Sequence, residues 1–239
     1  MIQIRTSCPE DVPRQRELWQ LAFGDDGAYV DNFYHTYYKP ERMLLLEEDG
    51  VVQAMTAWFD TDFVVPGRGR YRAAYLYAVA THPKARGRGL AGQLLAGADQ
   101  MFQGWNIPAV TTVPAEPSLH RFFERNGFRE CFVDGQFSAS REDWVIHPEM
   151  EVLERLSPEE YRKLRERLLA GVAHIDLPPE ALSYQEGACA LLPGGGLYTL
   201  ETPHGRAALC AEGMECGELL VKELLCLPED LDWVLERLP

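Results

Sequence analysis

Hydrophobic and polar residues along the first half of the chain follow two periods, which predicts helices and strands in turn. Apolar residues three and four positions apart are typical of helices, whereas short apolar or alternating runs between turn residues are typical of strands. The pair Asp49-Gly50 lies between two such runs and is a strong hairpin signal. In chain order, the predicted elements are helices over 6–23 and 28–38, strands over 43–47 and 51–59, a loop or strand over 60–70, a strand over 75–80, a helix from residue 89, a strand over 108–113, a helix over 116–126, and a hairpin over 128–134 and 136–140.

The second half shows a related pattern after residues 141–158, which we interpret as a short and fairly stiff connection. Ser157-Pro158-Glu159-Glu160 is a capping box with proline at the first helical position, so a helix is predicted to run from here to about residue 170. The further predicted elements are a helix over 177–186, strands over 197–201, 206–212 and 218–226, and a helix over 228–238. Their order of hairpin, strand and helix repeats that of residues 43–100.

One stretch of the first half, 73–100, has the features of an anion-binding turn. An apolar strand leads into a basic turn, and Gly89 begins a helix. The first N–H groups of a helix have no intrahelical acceptor, and the helix dipole adds positive potential to them. Gly87 and Gly89 would let an anion approach the backbone closely, while Arg86 and Arg88 supply charge. Neither the Lys-Ser/Thr pair of a P-loop nor the Gly-x-Gly-x-x-Gly of a dinucleotide site is present.

Composition and charge narrow the classes of function. The 239 residues carry a formal net charge of −14, which argues against a nucleic-acid partner. An acidic surface is compatible with a cationic substrate and equally with simple solubility. Since no apolar run approaches the ~20 residues that span a bilayer and the N-terminus resembles no signal peptide, we expect a cytoplasmic protein without a membrane partner. Six cysteines without a Cys-x-x-Cys pair are interpreted as structural thiols, and no metal site is suggested.

The second predicted helix is unusually rich in aromatic residues. Helical spacing places Tyr34, Tyr37 and Tyr38 on one side and Tyr29 and Phe33 on another. One set can pack in the core while the other lines a cleft. We assign Tyr34, Tyr37 and Tyr38 to a substrate cleft, with packing of all five rings as the alternative.

Two motifs resemble those of one enzyme family. Arg86-x-x-Gly89-x-Ala91, after a strand that ends Val79-Ala80-Thr81, resembles motif A of the GNAT acetyltransferases. The run SLHRFFERNGF at 118–128 resembles the end of their motif B. Together with the element order, the resemblance covers about residues 2–140. It implies a GNAT fold of the α/β (α+β) class, in which helices flank a mixed, mostly antiparallel sheet.

The resemblance and the repeated order predict two domains. The first, over 1–142, is a catalytic GNAT domain. The second, over 150–239, is a smaller, degenerate and truncated GNAT-like α/β unit, similar to the tandem organisation of Eis-type acetyltransferases. Its connection over 225–230 has neither arginine nor glycine, and its acidic residues would repel a phosphate. Whether this unit covers the substrate cleft or forms a homodimer contact is left open.

The resemblance also implies a reaction and a donor. The implied activity is N-acetyl transfer from acetyl-CoA to a primary amine of a small molecule or peptide, by direct attack on the thioester. The pyrophosphate of CoA is expected on the turn and its pantetheine along strand 77–81, where the neighbouring strand splays away and a backbone N–H near Val79 polarises the thioester. The residues implied in cofactor binding are Val79, Ala80, Thr81, Arg86, Gly87, Arg88, Gly89, Leu90, Ala91 and Phe123.

The chain departs from the family pattern at two positions that carry catalytic groups in many relatives. Phe123 stands where many relatives have a tyrosine general acid, and Ala73 or Ala74 stands where a glutamate base is common. The candidate catalytic residues are Tyr75, Tyr77 and Glu116, with His82 and His120 considered beside them. Core packing is the alternative role for the tyrosines, and helix capping is the alternative for the glutamate. These departures leave a non-catalytic acyl-CoA-binding or regulatory module as the alternative function.

Overall fold

The computed structural model describes residues 1–132, 153–214 and 219–238 of the chain. These residues form two compact units, which we describe separately. The N-terminal unit comprises residues 1–131 together with 173–177, and the C-terminal unit comprises 132–172 and 178–239. Within the described ranges, no helix has both the length and the apolar character needed to cross a membrane.

The N-terminal unit is built on a six-stranded sheet. Five strands lie in chain order, β1-β2-β3-β4-β5, and β7 pairs with β3. All pairs are antiparallel except β4–β5, which is parallel. The strands are β1 Ile2–Thr6, β2 Met43–Glu48, β3 Val51–Val65, β4 Gly69–Thr81, β5 Ala109–Thr111 and β7 His174–Asp176, and the helices are α1 Val12–Phe23, α2 Gly27–Thr36, α3 Leu90–Gly104 and α4 His120–Arg125.

One core cluster of this unit lies between one face of the sheet and helices α3 and α4. The helix predicted from residue 89 is confirmed as α3, and its buried residues follow helical spacing. They pack against buried residues of β2, β3 and β4, including Trp58, whose ring meets Phe102 edge-on at 5.2 Å. The buried residues that α3 contributes are Leu90, Leu94, Leu95, Ala98 and Phe102.

Several boundaries differ from the sequence expectation for local reasons. The first helix begins at Val12 and not at residue 6, because a 3-10 turn, Pro9–Asp11, precedes it. Of the two alternatives for 60–70, the strand is confirmed: β3 continues to Val65 and β4 begins at Gly69. The helix predicted over 116–126 is a 3-10 turn, Pro117–Leu119, followed by α4. Residues 128–132 form no strand, and the rest of the predicted hairpin lies outside the described residues.

The C-terminal unit contains a four-stranded sheet in the order β10-β9-β8-β6, with every pair antiparallel. The predicted capping box is confirmed, since Ser157 accepts the amide of Glu160 and the Glu160 carboxylate accepts the amide of Ser157 at 2.9 Å. Of the predicted connection over 141–158, residues 141–152 lie outside the described residues, and Glu154–Arg155 form a strand that the sequence did not predict, because a two-residue strand shows no period. The strands are β6 Glu154–Arg155, β8 Gly196–Thr202, β9 Gly205–Gly213 and β10 Leu219–Leu225, and the helices are α5 Pro158–Leu168, α6 Pro179–Cys189 and α7 Leu231–Leu235.

Five cysteines fall within the described residues, and all five are free thiols. Cys189 and Cys210 are buried, and their sulfur atoms are 3.6 Å apart.

Candidate active site

Strand β4 pairs with its neighbour β5 over only part of its length. The parallel pairing covers three positions and ends where Tyr75 lies opposite Thr111. Beyond that point β4 continues to Thr81, whereas β5 has ended. The hydroxyl of Thr112 still donates to the carbonyl of Leu76 at 3.3 Å. The parallel pairing therefore ends close to Leu76, at the place where the family resemblance implies that the two strands splay apart.

Strand β4 contains a bulge in the same region. Its pairing with β3 shifts between Ala57↔Tyr77 and Met55↔Ala80, so that Ala78 and Val79 lie opposite the single residue Thr56. Ala78 has a φ of +50°, an uncommon value for a residue other than glycine. The buried Thr56 hydroxyl donates to the carbonyl of Tyr77 at 3.3 Å. The bulge thus interrupts the regular hydrogen bonding of β4 with β3 close to the point where the pairing of β4 with β5 ends.

The loop that follows β4 places backbone N–H groups around an open space. A 3-10 turn, Pro83–Ala85, precedes it, and the first hydrogen bond of α3 runs from the Gln93 amide to the Gly89 carbonyl at 3.1 Å. Among the described residues, no acceptor is found for the amides of residues 88–92. Gly87 and Gly89 both have a φ of +76°, and a Cβ built on either meets nothing within 4 Å. The loop therefore fits a phosphate that approaches the backbone.

The side chains around this loop have distinct roles. The Nε of Arg86 donates to the Thr81 carbonyl at 3.2 Å. The guanidinium of Arg88 forms a bidentate ion pair with Glu48 at the end of β2. Leu90 buries its side chain in the core, so that its backbone alone faces the loop.

Aromatic rings cover the face of β3 and β4 opposite the α3 core. Tyr75 and Tyr77 share this face, with ring centroids 6.4 Å apart. The Tyr77 ring also meets Trp19 of α1 and Phe33 of α2, and its hydroxyl lies 3.1 Å from the hydroxyl of Tyr29. Burial, reinforced by the nearby phenol of Tyr29, raises the pKa of Tyr75. Tyr75 consequently keeps its proton at neutral pH.

The three tyrosines assigned to a substrate cleft make hydrogen bonds to neighbouring residues, and their role in a cleft stays a prediction. Tyr37 is 3% exposed and donates to the Trp58 carbonyl at 3.2 Å. The hydroxyl of Tyr38 lies 2.7 Å from that of Ser7, and Tyr34 donates to the Gln15 side chain at 3.2 Å. Helix α2 therefore presents the other side, with Tyr29 and Phe33, to the aromatic face of β4. The helical period gave both sides correctly but did not indicate which one faces β4.

The remaining predicted residues lie on or beside α4 and the loop. Phe123 is buried in the core cluster, with its ring 5.4 Å from that of Phe128. Glu116 precedes the 3-10 turn of residues 117–119, is exposed, and accepts the Ser118 hydroxyl. His120 is exposed and pairs with Glu130 at 2.6 Å, while Nδ1 of His82 accepts the amide of Lys84 at 3.3 Å. None of these contacts joins a predicted residue to Tyr75 or Tyr77.

Three residues near the site were not assigned to it from the sequence: Tyr29, which was placed only on one side of its helix, Thr56 and Glu48. Tyr29 and Thr56 are set by packing across α2, β3 and β4, which no local pattern reports. Glu48 lies 40 positions before its partner Arg88. An acidic residue beside a hairpin turn gives no signal for such a pair.

The bulged strand, the neighbouring strand that ends early and the N–H groups at the start of α3, which have no acceptor in the part of the chain that the structure describes, are together typical of proteins with a site for a phosphate-containing ligand. A family model described as "Acetyltransferase (GNAT) domain" matches residues 3–131, more than half of the chain. The chain therefore belongs to the GNAT acetyltransferase family, a family of acyl-transfer enzymes that generally use acetyl-CoA. The predicted fold is confirmed with it. No curated protein sequence matches the chain significantly.

Solved structures of low sequence identity share the fold. A GCN5-related N-acetyltransferase from Anabaena variabilis matches with a TM-score of 0.69 and 17% identity over 99% of this chain and 62% of its own. Eis1 from Mycobacterium abscessus matches with a TM-score of 0.65 and 16% identity over 95% of this chain and 60% of its own. A probable N-acyltransferase from Enterococcus faecalis matches with a TM-score of 0.69, 12% identity and coverages of 99% and 61%. This chain thus spans about three-fifths of the length of these proteins.

Proposed function

We propose that the protein transfers the acetyl group of acetyl-CoA to a primary amine of a small molecule or peptide by direct attack. The observation that carries the proposal is the sequence of features along one strand: the end of the β4–β5 pairing close to Leu76, the bulge at Ala78 and Val79, and the open amides of residues 88–92. In the same order along the chain, these features would hold the acyl group, the extended linker and the pyrophosphate of CoA. Acetyl-CoA supplies the activated acyl group when bound.

The residues of this chain would hold the donor mainly through backbone groups. The amides of residues 88–92 and the positive end of the α3 dipole would bind the pyrophosphate. The backbone of residues 77–81, which continues past the end of β5, would hold the amide-containing linker as a neighbouring strand does. A backbone N–H at the bulge near Val79 would stabilise developing negative charge on a carbonyl oxygen.

The aromatic face of β4 supports binding of a cationic acceptor beside the bulge. The Tyr77 ring meets Trp19 at 5.7 Å, and the Trp19 indole donates to Asp25 at 2.7 Å. The neighbouring Asp26 accepts the amide of Tyr29 at 2.8 Å. Trp19 is itself buried, so an ammonium group would reach the partly exposed rings of Tyr29 and Tyr77, close to these carboxylates. Because Tyr75 stays protonated at neutral pH, it would act as a proton donor, and Glu116 is the predicted residue able to accept a proton.

The deciding experiment is release of the CoA thiol from acetyl-CoA, measured with a panel of polyamines, aminoglycosides and peptides with free N-termini. Steady release that depends on the amine supports the enzyme. Tight binding of CoA without turnover for any amine supports the non-catalytic binding module instead. Tyr75→Phe should lower kcat by about tenfold or more while the KM for acetyl-CoA stays unchanged.

A further inference from the structure

The two arginines of the loop are held to different parts of the sheet. Arg88 donates to both carboxylate oxygens of Glu48, with Nη1–Oε2 at 2.8 Å and Nη2–Oε1 at 2.5 Å. The Nε of Arg86 instead donates to the carbonyl of Thr81, the last residue of β4. The guanidinium of Arg88 therefore already holds a carboxylate in the bidentate geometry that a phosphate would use.

Glu48 is a rigid anchor for this pair. It is the last residue of β2, and its backbone pairs with Ile2 of β1 on one side and Val51 of β3 on the other. Its side chain is 19% exposed, and the hydrogen bonds from Arg88 hold the pKa of the carboxyl below its usual value. The carboxylate stays charged throughout the neutral range, so the pair persists at working pH.

The backbone around Arg88 needs such an anchor. Gly87 before it and Gly89 after it both adopt the left-handed region, with a φ of +76°. Glycines in this region have many alternative conformations, and the loop amides bind an anion together only when they point to the same side. A side chain tied to the sheet between the two glycines restricts both.

From these contacts we infer that Glu48 is a positioning residue for the phosphate site. Its ion pair holds Arg88 against β2 and thereby fixes the orientation of the amides of residues 88–92; we call this role of Glu48 the brace. Arg88 then supports the loop and does not itself bind phosphate. This inference rests on the proposed function, since it assumes that CoA is the ligand of the loop. The rival arrangement is that Glu48 competes with the phosphate for Arg88.

The two arrangements predict opposite changes in the Kd for CoA when Glu48 is replaced in Glu48→Gln. A lost brace weakens CoA binding, and we expect the Kd to rise about fivefold, as for one well-formed ion pair. If Glu48 instead competes with the phosphate for Arg88, its replacement would lower the Kd. The matched control is Asp49→Asn, which removes the same charge one residue away, leaves the Glu48–Arg88 pair intact, and keeps an asparagine at a φ of +50° that this residue tolerates. It should change the Kd less than twofold.

A double-mutant cycle measured by calorimetric titration of CoA completes the test. Arg88→Ala should raise the Kd as much as Glu48→Gln, and the double variant should be no weaker than either single one. Arg88→Lys, which keeps the charge but loses the bidentate geometry, should resemble Arg88→Ala. A further rise in Kd from Arg88→Ala in the Glu48→Gln background would overturn the brace, because Arg88 would then bind phosphate directly.

A ligand without phosphates separates positioning from general damage to the fold. The KM for acetyl-pantetheine, which lacks the pyrophosphate, should be the same in Glu48→Gln and in the wild type. An equal loss for both ligands contradicts the inference. A wild-type protein that binds no CoA in this titration overturns the proposed function and the brace with it, whereas wild-type binding with an unchanged Glu48→Gln variant overturns the brace alone.

Discussion

The two units build the same strand order from different sequences. In each, a first strand, two helices and three further strands follow along the chain, and the sheet order is β1-β2-β3-β4 in one and β6-β8-β9-β10 in the other. The fourth strand carries an extra residue in both cases, at Ala78–Val79 of β4 and at Lys222 of β10. This shared topology and bulge support the hypothesis that the second unit is a degenerate GNAT-like repeat.

The units differ in the connection that follows the bulged strand. In the N-terminal unit, residues 86–89 separate the 3-10 turn from the 15-residue helix α3. In the C-terminal unit, the 3-10 turn Pro228–Asp230 leads directly into the five-residue α7. The buried Asp230 carboxylate stands there and accepts the Thr202 hydroxyl and His204 Nδ1, both at 2.7 Å. The bulge is therefore common to both units, whereas the glycine-containing loop to which we assign anion binding follows the bulged strand of the N-terminal unit alone.

Among the variants that test this difference, Gly89→Glu should have the largest effect, and the quantity it changes is the affinity for CoA. A glutamate at a φ of +76° places strain, bulk and negative charge where the phosphate is expected, so the affinity for CoA should fall more than about 100-fold. Gly67→Glu is the matched control, because Gly67 has a φ of +69° in equally open space at the β3–β4 turn. Titration of both variants, with circular dichroism to verify folding, gives the comparison. Unchanged affinity in Gly89→Glu would place the cofactor elsewhere.

The second difference lies between the two helices of each unit. Residues 24–26 join α1 to α2, whereas the connection from α5 to α6 contains β7, which pairs with β3 of the N-terminal unit. In that pairing Asp62 lies opposite Asp176, and Arg70 forms ion pairs with both. The arginine thus holds together two carboxylates that would otherwise repel each other.

Arg70→Ala should destabilise the protein by about 2 kcal/mol, because Asp176 is 5% exposed and would lose its ion pair with Arg70. Arg72→Ala is the control: that exposed arginine donates to the Trp105 carbonyl at 3.3 Å, and its loss should change little. Urea denaturation measures both. Adding Asp176→Asn to Arg70→Ala should restore part of the loss, and a failure to do so would mean that charge repulsion is not the cause.

The sequence predicts what depends on neighbours along the chain. The Asp49-Gly50 hairpin, with φ values of +50° and +80°, and the Ser157 capping box each follow from a few adjacent residues. Strand β7 could not be predicted, because three residues show no period and their partner strand lies more than a hundred positions earlier. The orientation of α2 and the Glu48–Arg88 pair depend in the same way on distant partners.

The segment that follows the first strand of each unit contains a carboxylate whose contribution to stability can be tested by pH; we call this segment the first corner of the unit. Asp11 follows β1, and hydrogen bonds from Arg5 hold the pKa of its carboxyl well below its usual value. Such a carboxylate contributes stability above its unfolded pKa of about 4, and the contribution is lost as the pH falls through the folded value. Asp11→Asn should lower the stability by about 1 kcal/mol at pH 7, with the difference from wild type shrinking below pH 4. Thermal unfolding between pH 2 and 7 measures this.

The corresponding corner of the C-terminal unit uses the exposed Glu160, whose carboxyl pKa is lowered by hydrogen bonds from the Ser157 side chain and backbone. Glu160→Gln should show the same direction of pH dependence with a smaller amplitude, since solvent screens the group. An equal amplitude in both variants would contradict the assignment of the larger effect to the Arg5–Asp11 pair.

The smallest expected effect separates the two bulges. Ala78 has a positive φ, which strains any residue with a Cβ by about 1 kcal/mol, whereas Lys222 keeps a negative φ. Ala78→Gly should therefore change stability by less than about 0.5 kcal/mol, because relief of strain offsets the added freedom of the unfolded chain. At the other bulge, the same comparison of glycine with alanine uses Lys222→Gly and Lys222→Ala. The glycine variant should be less stable than the alanine variant by about 0.5–1 kcal/mol. Equal losses at both sites in urea denaturation would show that the backbone of β4 is not strained at Ala78, and the N-terminal bulge would then differ from its counterpart in the following loop alone.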